Sequence, residues 1–75
     1  MSIDAARRAM LGAEAEYSRA KRRREVFQLK FATGATKRML RTYHQLHIAE
    51  VAAFQSAVDA REDFFRLGVR AALAG

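Results

Sequence analysis

Along the first part of the chain, apolar side chains recur at alternating intervals of three and four, at Ile3, Ala6, Met10, Ala13, Tyr17, Ala20, Phe27 and Phe31, with Arg24 the one charged residue on the stripe. Such spacing keeps a single face of an α-helix apolar over its whole length. The second part carries two stripes side by side. His47, Val51, Phe54, Val58, Phe65, Val69 and Ala72 form one, and Met39, Tyr43, Leu46, Ala53, Ala57, Ala60, Phe64 and Leu67 form the other. The second helix therefore has a wider apolar face than one partner helix can cover.

Only one place interrupts the helical pattern. In Ala32-Thr33-Gly34-Ala35-Thr36, Gly34 suits the left-handed position that follows a helix, and Thr36 suits the N-cap of the next one. Ser2 is placed to cap the first helix with Asp4 in its first turn, and Gly75 to end the second. The expectation is an all-α chain, a two-helix antiparallel hairpin with helices at about residues 3–32 and 36–73 and a turn near 33–36, forming one domain over 1–75. Folding at Gly34 pairs positions whose numbers sum to about 70. Large residues then face small ones, with Ala6 opposite Phe64 and Phe65, Ala13 opposite Val58, Ala20 near Val51 and Met10 near Ala60. Near the turn, Phe27 meets Tyr43, and Phe31 meets Met39 or Leu40. The second helix outruns the first by some 10 Å at about 1.5 Å per residue. Phe65, Leu67, Val69 and Leu73 at that open end should lack a cover within the chain.

Composition sharpens this into an expectation of association. The chain has 75 residues, no Cys and no Pro, and 16 of its apolar residues are Ala, which leaves 22 large apolar side chains. A core so thin rarely supplies more than about 3–5 kcal/mol without staples or oligomerisation. Disulfides are excluded. The pattern thus predicts a homo-oligomeric helical bundle with a partner-helix interface at Val51, Phe54, Val58, Phe64, Phe65, Leu67, Val69 and Leu73.

Charge adds a second surface. The net charge is +6, yet residues 21–41 alone carry +7, from Lys21, Arg22, Arg23, Arg24, Lys30, Lys37, Arg38 and Arg41 against Glu25. Lys30 complements the dipole of a first helix ending nearby, whereas Lys37, Arg38 and Arg41 lie in the first turns of the second helix, where the dipole disfavours cations. Cations held there against the dipole suit a bound anion. Lys21, Arg22, Arg23, Lys30, Lys37, Arg38 and Arg41 are the candidate contacts to an anionic surface or nucleic acid. Phe27, Phe31 and Tyr43 lie on packing stripes, so nucleic acid would be held mainly through phosphates, with strong salt dependence. Arg24, on the core stripe, should either send its guanidinium outward along the seam or pair with Glu50.

No chemistry beyond this is expected. His44, His47 and Glu50 are spaced three apart, but no second motif completes a metal site and His47 continues an apolar stripe. Ser2, Ser18 and Ser56 are isolated, and Gly34-Ala35-Thr36-Lys37 lacks the upstream Gly and strand of a phosphate loop. The chain reads as non-enzymatic, without catalytic residues, metal or cofactor. Its uncharged runs reach only eight residues, Thr42 to Ala49 and Val51 to Val58, so no transmembrane segment is expected. The expected place is the cytoplasm or a macromolecular assembly. In architecture alone, a dimerising hairpin resembles the Rop-type plasmid RNA-binding proteins. The residues themselves lead first to an oligomeric helical adaptor or structural subunit whose basic turn region docks on an anionic surface, and second to a nucleic-acid-binding protein using the same region.

Overall fold

A computed structural model describes residues 1–75. It contains two long helices, α1 at Ile3–Gln28 and α2 at Lys37–Ala74, with a 3₁₀ turn at Leu29–Thr33 and no strand. Each terminus has the cap its sequence offers. Ser2 Oγ accepts from the Ala5 amide at 3.1 Å, Thr36 Oγ1 accepts from the Met39 amide at 3.2 Å, and the Gly75 amide donates to the Ala71 carbonyl at 3.1 Å. No helix is long and apolar enough to cross a membrane.

The first helix was expected to run to about residue 32, but its last turn tightens to 3₁₀. Local bonds favour this. Thr33 Oγ1 donates to the Lys30 carbonyl at 3.0 Å and the Gly34 amide to the Phe31 carbonyl at 3.0 Å, both closing three-residue steps. Gly34 then takes φ 110° and ψ 145°, which is extended backbone of inverted hand rather than the left-handed helical cap expected. Only glycine adopts it without strain.

Pairs across the hairpin show an antiparallel arrangement and its register. Glu14 bonds Arg61, Tyr17 packs on Phe54, Arg24 bonds Glu50, and Phe31 packs on Tyr43. These pairs sum to between 71 and 75 rather than about 70. The 3₁₀ turn explains part of the offset, because it rises about 2.0 Å per residue against about 1.5 Å in an α-helix and so lengthens the first arm. The start of α2 at Lys37 adds to it.

The shift changes what faces what. Tyr43 receives Phe31, with ring centroids 5.4 Å apart, while Phe27 packs edge-on against Phe31 of its own arm at 5.8 Å. Further out, Val51 and Phe65 stay exposed, by 53% and 71%, and so do not cover Ala20 and Ala6 as expected, while Val58, Ala60 and Phe64 are half-buried. The buried residues are Ala6, Ala20 and Ala57. The molecule measures 59 × 14 × 14 Å between Cα extremes. Two straight helices side by side would be only about 5 Å thick in one direction, since the Cα cylinder of a helix has a radius near 2.3 Å. The arms therefore cross or wind about each other along their length.

Candidate interaction surfaces

Midway along the hairpin, Arg24 projects from the seam face of α1 towards Glu50 of α2. Its Nε donates to Glu50 Oε2 at 2.7 Å, its Nη2 to Oε1 at 3.2 Å, and its Nη1 to Gln28 Oε1 at 2.8 Å. The two side chains retain 20% and 12% of their exposure. This is the forked, two-bond geometry that a planar guanidinium makes with a carboxylate. The hydrogen bond from Arg24 is the main reason that the Glu50 carboxyl is held below the ordinary carboxylate range, with burial opposing it and the charges of Arg24, His47 and Lys21 assisting. The same bond raises Arg24. Of the two arrangements open to Arg24 in the sequence, the structure has the pair. Glu50 is thereby occupied, and His47 lies parallel to Tyr43 with centroids 6.4 Å apart. The structure places no three His, Cys, Asp or Glu side chains together.

The basic residues near the turn divide into separate groups. Arg22, Arg23 and Lys30, together with Arg19, surround an open groove of about 430 Å³ whose floor is Val26, Phe27 and Leu46. Lys30 Nζ stands 5.1 Å over the Phe27 ring, a cation–π contact that fixes the ammonium above the aromatic face. Arg22, Arg23 and Lys30 make no ion pair, whereas Arg19 bonds Glu16 at its outer edge. Lys21 lies outside the groove and faces Glu25 at 4.0 Å. Lys37, Arg38 and Arg41 are exposed in the first turns of α2, outside any ion pair and outside this groove.

Two members of the groove were missed in the sequence for different reasons. Arg19 lies just before the dense basic run, and Val26 falls off the single packing stripe of α1. Their signal is nonetheless present in the helical spacing of residues 19, 22, 23, 26 and 30, which share one side of the first arm.

The stripe of α2 that runs through Val51, Phe54, Phe65 and Val69 is the other surface. Val51, Phe54, Phe65, Val69 and Leu73 are exposed, Phe65 by 71% and Leu73 by 84%. Leu40 and Ile48 extend the exposed apolar side towards the turn. Val58, Phe64 and Leu67 are half-buried. Leu67 was expected to be uncovered but is half-buried, at a depression of the open end that it lines with Met1, Asp63, Arg66 and Arg70. Phe54 is covered on one side only, where Tyr17 meets it at 5.3 Å in an edge contact. The flank of the stripe near Phe65 and Val69 is lined by Arg61, Glu62 and Arg66.

No family model matches the chain, and no curated protein or solved structure matches it either.

Proposed function

We propose that this chain is a non-enzymatic helical adaptor or structural subunit that works as an oligomer within a larger assembly, its basic turn end docking on an anionic surface. The observation that carries the reading is the imbalance of burial: the only buried residues are alanines, while Phe65, Val69, Val51, Phe54 and Leu73 remain exposed on α2. Contiguous exposed apolar patches above a few hundred Å² are uncommon on soluble monomers. A second copy, laying the same stripe against the first, would close a four-helix bundle. Sedimentation equilibrium tests this directly. A stable monomer at micromolar concentration would remove the oligomer.

A nucleic-acid-binding protein is the second reading, favoured by the absence of any ion pair at Lys37, Arg38 and Arg41. Phosphate contacts release counterions, so binding to DNA or RNA would fall steeply between about 50 and 200 mM salt. Replacing Lys37, Arg38 and Arg41 by Ala would flatten that dependence. Absence of nucleic-acid binding at low salt would leave the adaptor reading.

A further inference from the structure

The groove beside α1 combines features that a simple basic patch lacks. Its rim is cationic and no acid lines it, while its floor is hydrocarbon and aromatic ring from Val26, Phe27 and Leu46. Val26 is 55% exposed. From Arg19 to Lys30 the groove follows about three turns of the arm, or about 16 Å.

We infer that this groove binds an acidic amphipathic helix of a partner protein, its Asp and Glu side chains reaching Arg22, Arg23 and Lys30 and its aliphatic side chains resting on Val26, Phe27 and Leu46. The inference rests on the anionic-docking part of the proposed function and names the partner's chemistry. Charge complementarity selects an acidic ligand, and the floor selects among acidic ligands. A phosphate backbone gains nothing from an apolar floor, and a nucleobase has no free ring to stack on, because Lys30 covers one face of Phe27 and Phe31 meets it edge-on. A helix with apolar residues at intervals of three and four, flanked by carboxylates, satisfies rim and floor together. Lys30, already held over the ring, and the guanidinium groups of Arg22 and Arg23 are free of competing acids.

Fluorescence anisotropy of the full chain with three labelled probes tests it: a helical peptide of about 15 residues with Leu at every third or fourth position and Glu between, a Glu-rich peptide of equal charge without Leu, and a single-stranded oligonucleotide. The Leu-containing peptide should bind best. Val26→Asp and the pair Arg22→Glu, Arg23→Glu should each weaken it by about tenfold or more, whereas Lys37→Ala, Arg38→Ala and Arg41→Ala together should change it by less than about threefold, since they lie outside the groove. Helicity of each variant by circular dichroism separates lost binding from lost fold, and Val26→Ser serves as a milder floor variant. Equal binding of the two peptides, or indifference to both Val26 variants, would overturn the groove while leaving the basic end as an anion-docking surface. Preference for the oligonucleotide would overturn it in favour of nucleic acid, and no binding of any probe at low salt would overturn both readings. A fall in the protein's own native mass on Val26→Asp would instead make a second copy the occupant.

Discussion

Arg24 and Glu50 lock the two arms of the hairpin together at mid-length through a forked pair of hydrogen bonds, 2.7 and 3.2 Å long. Glu50 is held below its ordinary titration range by that pairing, so its contribution to stability is complete above the unfolded carboxylate value of about 4.3 and disappears as pH falls through the lower folded value. Glu50→Gln should therefore melt lower than the parent at pH 7, and the gap should close as the pH is lowered towards 3. A gap that stayed constant across that range would show that Glu50 acts through packing alone. Arg24→Ala should likewise lower the melting temperature by several degrees while leaving anion binding at the groove nearly intact, because its guanidinium is directed to the seam.

Gly34 provides a local test of the turn. At φ 110° and ψ 145° it occupies backbone space open essentially to glycine alone, and a Cβ placed there would meet nothing within 4 Å. The cost of Gly34→Ala is then one of backbone strain without clash, about 1–3 kcal/mol. Chemical denaturation should show a lower midpoint with an unchanged slope.

The alanine seam should tolerate no enlargement. Ala6 is 1% exposed, so Ala6→Leu would force the arms apart at a cost of about 1–3 kcal/mol. Ala15→Leu, on the exposed side of α1, should change stability by less than about 0.5 kcal/mol and serves as the control. Equal melting temperatures for the two variants would contradict the seam.

The exposed stripe of α2 makes the opposite kind of prediction. Phe65 is 71% exposed, so Phe65→Glu leaves the packing within one chain almost untouched. Combined with Val69→Glu, it should reduce the sedimentation mass to that of one chain with little loss of helicity in concentrated samples. Unchanged mass would place the interface elsewhere.

Much of this architecture could be read from residue spacing. The interruption of an apolar stripe at Arg24, with Glu50 about one turn from its level, was enough to pose the pair. Ser2 and Thr36 marked the helix starts to within a residue, because capping is a local property, whereas α1 gives way to 3₁₀ after Gln28, short of the end expected near residue 32. The 3₁₀ turn escaped because it combines the Thr33–Lys30 bond with the packing of Phe27, Phe31 and Tyr43, and Tyr43 comes from the other arm. Part of the displaced register follows from that turn. The groove escaped as well, since Val26 and Leu46 belong to different helices and are brought to one floor only by the crossing of the arms.

The aromatic contact of Phe31 with Tyr43 also orders the hairpin in time. It closes a loop of 12 residues, whereas the Glu14–Arg61 bond closes one of 47, a difference of about 1.2 kcal/mol in chain entropy. Zippering should begin at the turn and proceed outward, and fraying should run in reverse from the open end. Amide hydrogen exchange would read this as slow exchange around Tyr43 and fast exchange beyond Phe65. The cationic end is then assembled before the apolar end, so, if the proposed groove and interface hold, a nascent or partly melted chain would be able to take an acidic ligand before its stripe on α2 meets a second copy.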